Sequence, residues 1–172
     1  MSVEPASESA TARAIEEDAE RLAGAIYGTI VVTGVLIATA EVGEGGTVDA
    51  VRAAAYGVVT TVVFWLAHGW SLALGHRLAG APRTGLGVAL RREWPMVLSV
   101  VPPIAVMAVA ALLGADDEEA ISAAVWGSVA ILAAIGGGVA HRENGSAGQI
   151  VLAALGSAAL GGLMVLLKVL VH

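Results

Sequence analysis

The stretch AAAYGVVTTVVFWLAHGWSLALG, residues 53–75, decides the fold. It runs without an Asp, Glu, Lys or Arg. At ~1.5 Å per helical residue it is long enough to cross a ~30 Å hydrocarbon core. Inside lipid every backbone N–H and C=O must find its partner within the chain, so such a run is expected to be a helix. A barrel strand would alternate polar and apolar side chains, and this stretch does not.

Working outward, four more apolar runs have the same character: residues 22–40, 95–114, 120–140 and 150–171. The whole chain is 57% hydrophobic and 14% charged, against ~25% charged in an average soluble domain. A soluble domain of this size has no interior large enough to hide that surface; a bilayer does. The fold expected is all-α, a polytopic transmembrane bundle of five spans. Residues 21–172 form the bundle, and residues 1–20 form an acidic cytoplasmic tail. That tail holds Glu4, Glu8, Glu16, Glu17, Asp18 and Glu20 and lacks the basic start and apolar core of a signal peptide. It reads either as a solvated tail or as one carrying a short amphipathic helix over Ala10–Arg21.

Basic residues set the orientation. With five alternating spans, Arg13, Arg21, Arg77, Arg83, Arg91, Arg92 and Arg142 fall on one side, seven of the nine Lys and Arg. The other side receives Glu41, Glu44, Asp49 and Arg52, then Asp116, Asp117, Glu118 and Glu119. This places the N-terminus inside and the C-terminus outside a cell (inner or plasma) membrane, with Lys168 snorkelling to the outer interface. Trp94 and Trp126 are expected to be interfacial anchors. Apart from the bilayer, a homo-oligomeric partner is expected, and no nucleic acid.

Residues 53–75 also carry the least lipid-like face. Helical spacing aligns Thr61, Trp65, His68 and Ser71, and such a stripe should face protein or water. Histidine changes charge near physiological pH, so His68 suits a pore lining, a proton relay or a ligand contact. It equally suits a neutral imidazole bonded to a neighbouring helix, because no carboxylate lies within a predicted span.

The first span holds Gly24 and Gly28 in a GxxxG pattern that permits close packing; Thr29 and Thr33 follow, each placed to bond its own i−4 carbonyl. Pro102 and Pro103 predict a kink in the third span. Gly136-Gly137-Gly138 reads as a flexible run. Ala153, Ser157 and Gly161 form a small-residue seam, within one protomer or between two.

There is no cysteine, which removes thiolate metal sites and thiol nucleophiles. His76, His141 and His172 are scattered without ligand spacing, no phosphate-cradling loop occurs, and the acids sit in loops away from any Ser-His pair. No metal, cofactor or catalytic set is expected, and the chain does not read as an enzyme.

Arg21-Leu22 opening the first span, Phe64-Trp65-Leu66-Ala67-His68 in the second and Pro102-Pro103 in the third resemble the bacterial and lysosomal potassium-permeable channels with an Arg…Phe-Ser-Asp-Gly first helix. In place of Phe-Ser-Asp-Gly this chain has Ala25-Ile26-Tyr27-Gly28, and its five spans differ from the family's six. The resemblance implies a buried polar packing cluster of Arg21, Trp65 and His68, with Gly24 and Gly28 beside Arg21. In its Ala/Gly/Val-rich style the chain is also similar to small uncharacterised membrane proteins of high-GC bacteria. Two functional readings follow: an oligomeric, channel-like permeation protein, or a non-transporting accessory or scaffold protein that recruits a partner through its acidic tail.

Overall fold

The computed structural model describes residues 4–41, 49–78 and 85–171, and everything described is helix or tight turn. Seven helices follow in order: α1 (Glu4–Glu41), α2 (Ala50–Leu78), α3 (Leu86–Arg92), α4 (Trp94–Leu98), α5 (Val101–Leu112), α6 (Asp117–Arg142) and α7 (Ala147–Val171). Five segments are long and apolar enough to cross a membrane: Asp18–Thr39, Ala50–Leu78, Trp94–Leu112, Asp117–Arg142 and Ala147–Leu166. The chain is an all-α, multi-pass membrane bundle.

From Glu4 on, the acidic segment is helical and runs without a break into the first span. α1 is one continuous helix of 38 residues, ~57 Å long at ~1.5 Å per residue, so the acidic segment is the amino-terminal part of the first spanning helix. α1 is also the central element, touching α2, α4, α5, α6 and α7. Val32 and Leu36 of α1, Ala53 of α2, Met107 of α5 and Ala120, Ile121 and Ala124 of α6 make a closed core at one end of the bundle. The opposite end, around Glu20–Tyr27 of α1, is open.

The third span is broken in two. Pro102 and Pro103 have no N–H to return to Leu98 and Ser99, so α4 stops at Leu98 and α5 begins at Val101 with proline in its first turn. Val100 bridges the break, its N–H meeting the Val97 carbonyl at 3.4 Å.

The two turns that follow share one design. After α5, Gly114 takes φ +95°; Ala115 N–H reaches Ala110 O at 3.1 Å and Gly114 N–H reaches Ala111 O at 3.0 Å. That pair of bonds is a Schellman closure. Asp116 then opens α6 with a capping box, its side chain accepting from Glu119 N–H while the Glu119 carboxylate accepts from Asp116 N–H. After α6, Asn144 takes φ 57°, Gly145 N–H reaches Ala140 O at 2.9 Å, and Ser146 and Gln149 cap α7 reciprocally. Closing the ends this tightly lets the helices run further than hydropathy suggests, so α6 and α7 each start about one turn earlier than the sequence boundaries.

Gly136-Gly137-Gly138 is ordered helix rather than a flexible run. A Cβ at Gly136 would meet the Ser157 hydroxyl and lie 2.6 Å from Ala153 O; one at Gly161 would lie 3.0 Å from Val129. The Ala153–Ser157–Gly161 seam therefore packs within the protomer, α6 against α7, because small residues allow backbones to approach. Thr29, Thr33, Thr61 and Ser128 satisfy their hydroxyls on the carbonyl four residues earlier, at 2.7–2.8 Å.

Gly136→Val is expected to destabilise the bundle by about 1–3 kcal/mol through overpacking. Gly138→Ala, into open space, should be neutral or stabilising by less than about 1 kcal/mol. Unfolding in mixed micelles measures both.

Candidate functional site

The second span does not bury the stripe its spacing suggests. Its buried residues are Ala50, Ala53, Gly57, Thr61, Gly69 and Ala73, a row stepping mostly by four that also takes in half-buried Trp65. Rows of i±4n run inclined to a helix axis, and a helix crossing its neighbours at an angle buries such a row rather than a straight one. Thr61 therefore points into the packed interior, fully buried, and donates to Gly57 O. Ser71 is exposed and donates to Ala67 O at 2.8 Å. Of the four candidates on that face, Trp65 and His68 come together at a site, and Thr61 and Ser71 stand apart from it.

That site is built by the short helix α3 docking on α2. Gly69 supplies the notch: a Cβ there would sit 2.5 Å from Leu90 Cδ2. Beside it the Trp65 indole N–H donates to Leu90 O at 2.8 Å, across 25 residues of sequence. The Trp65 and Trp94 rings meet edge to face, centroids 5.4 Å apart at 78°, a favoured aromatic geometry. So held, α3 ends at Glu93, which is at once its C-cap and the N-cap of α4, with Pro95 starting the next turn.

Glu93 is 8% exposed. Its carboxylate Oε2 lies 3.7 Å from His68 Nε2, within ion-pair range and beyond an ordinary hydrogen bond. The expectation that His68 has no carboxylate partner is thereby corrected. Glu93 belongs to a polar run by sequence, but α3 carries it back into the bundle. Gly24 lies against it: a Cβ there would be 3.6 Å from Glu93 Oε2 and 3.7 Å from Met96 N, ordinary van der Waals contact. One turn on, Gly28 abuts Ser99, and its missing Cβ would be 2.6 Å from Met96 O. The GxxxG pattern of the first span is thus the seat of α4.

Arg21 is exposed and is not in a buried cluster with Trp65 and His68. The ion pair at this level is instead Glu20 with Arg92, joining α1 to α3. The Tyr27 ring stacks over His68, centroids 6.3 Å apart at 28°. These groups surround a cavity of about 480 Å³ whose lining also includes Ala23, Leu72, His76, Val88 and Met96. The His68 side chain is about half exposed. His76 Nδ1 is buried and has no hydrogen-bond partner.

Chemically the cavity is lined by a buried carboxylate, two imidazoles, a tyrosine and a self-neutralising ion pair within otherwise apolar walls. No group of three or more His, Asp or Glu placed to hold a metal occurs among the described residues. Sequence reasoning missed Glu93, Gly69 and the Glu20–Arg92 pair; the proline two residues after Glu93 was the available sign that a new helix starts there. No family model, curated protein or solved structure matches the chain.

Trp65→Phe removes the indole donor and leaves Leu90 O unpaired, an expected loss of about 1 kcal/mol. Gly69→Val should cost more, because it displaces Leu90 and undocks α3. Thermal unfolding in detergent measures the order of the two effects.

Proposed function

We propose that the chain is a channel-like permeation protein of the cell membrane, acting as an assembly of several copies, with its N-terminus inside and its C-terminus outside. The observation that carries this reading is the cavity at one end of the bundle, with Glu93 and His68 side by side in its lining. Ionisable groups inside membrane helices are costly to bury and cluster along solute and proton pathways. An assembly is part of the reading because five spans leave no continuous pore of their own. α7 offers surface for it: its apolar window is only 6% buried.

The seven arginines on one side support the orientation, and put the cavity at the cytoplasmic end. A second reading, a non-transporting accessory protein, draws on one observation: α1, at ~57 Å, is nearly twice the ~30 Å hydrocarbon thickness. Its acidic first turns extend beyond the span as a docking rod.

Reconstituted vesicles separate the two. Under an imposed gradient, methylammonium is expected to cross faster than in protein-free vesicles, and mass determination in nanodiscs is expected to find several copies. A silent monomer contradicts the permeation reading. The cysteine-free chain makes orientation a clean measurement. Ser9→Cys and Glu143→Cys are expected to react with impermeant maleimide only after cells are opened, and Glu118→Cys in intact cells. The reverse pattern contradicts the orientation.

A further inference from the structure

The two carboxylates of the cavity are not equivalent. Glu20 is joined to Arg92, and that pair sums to zero. Glu93 faces only a half-exposed imidazole, 3.7 Å away. With His68 neutral the cavity carries one uncompensated negative charge, nine-tenths buried. A carboxylate taken out of water without a close cation is unfavourable, so the missing component is a single positive charge.

The walls say what kind. An inorganic cation must exchange its hydration shell for several oxygens, as in filters lined with carbonyls. Here the lining side chains that carry oxygen are Glu93, Tyr27 and the Arg92-paired Glu20, while Ala23, Leu72, Val88 and Met96 supply apolar surface. About 480 Å³ falls within the size range of organic-ligand pockets, and the Tyr27 ring offers a π face to an ammonium group. We infer that this cavity binds a small organic monocation, its ammonium group against Glu93 and its apolar portion along Leu72, Val88 and Met96. The inference rests on the permeation reading only in taking the bound cation as cargo.

Calorimetric titration of the full chain in phosphatidylcholine nanodiscs tests this with 2-phenylethylammonium as probe and 2-phenylethanol as its uncharged counterpart. The ammonium is expected to bind saturably and about ten-fold or more tighter than the alcohol. Potassium chloride should not displace it, Glu93→Gln should abolish it, and Ser71→Ala should leave it intact. Equal binding of ammonium and alcohol overturns the site, as does undiminished binding by Glu93→Gln. The ammonium–alcohol comparison uses unaltered protein, so it decides the matter even where the variant fails to fold. Binding without any flux in vesicles leaves this site standing and removes the permeation reading, whereas flux with no preference for the ammonium overturns the site.

Discussion

Between Gly28 of α1 and the turn Met96–Ser99 of α4 there is no space for even one methyl group. Most of the open end of the bundle depends on that contact. Because the two backbones touch, the third span begins against the first. Because it begins there, Glu93, one residue before α4, is held beside Gly24 and under His68. A side chain at Gly28 would separate the helices and take the carboxylate with it. Lipid adds a second constraint of the same kind. Backbone groups cannot be left to a solvent that is absent, so the chain closes its turns on itself at Gly114 and Asn144 and caps the next helices with Asp116 and Ser146.

Burying Glu93 works against stability, and the surroundings offset only part of the cost. His68 is at ion-pair rather than hydrogen-bond distance. The docking of α3 carries the burden instead, through the Leu90–Gly69 notch, the Trp65–Leu90 hydrogen bond and the Trp65–Trp94 contact. An unfavourable group maintained by several favourable ones is the usual arrangement of a functional site. It also explains why Thr61 and Ser71, whose hydroxyls are satisfied within α2 itself, take no part in the site.

The spans were legible because a run of apolar residues of the right length has few alternatives to a membrane helix. Their ends were less so. The Asp116-x-x-Glu119 and Ser146-x-x-Gln149 patterns are readable capping signals, and reading them would have moved the starts of α6 and α7 to where they lie. The polar stripe of the second span was half right, since spacing cannot show the angle at which a helix crosses its neighbours, and that angle decides between Ser71 and Gly69. Glu93 was not legible from hydropathy at all. Arg91-Arg92-Glu93 reads as loop, and only the docking of α3 against Gly69 turns one of the three inward. The same docking leaves Arg21 exposed and selects Arg92 as the partner of an α1 acid.

Glu93 beside His68 inside the bundle is the contact on which the cavity depends. Solid-state NMR measures that directly in lipid bilayers, by dipolar recoupling between the ¹⁵N-labelled imidazole of His68 and the ¹³C-labelled side-chain carboxyl of Glu93. Matched His68→Asn and Glu93→Gln samples subtract the other histidines and glutamates. A nitrogen–oxygen separation of 3.7 Å predicts strong dephasing of the Glu93 carboxyl signal that vanishes in both variants. A Glu93 carboxyl signal that shows no dephasing would mean that α3 does not carry Glu93 into the bundle, and would contradict the account.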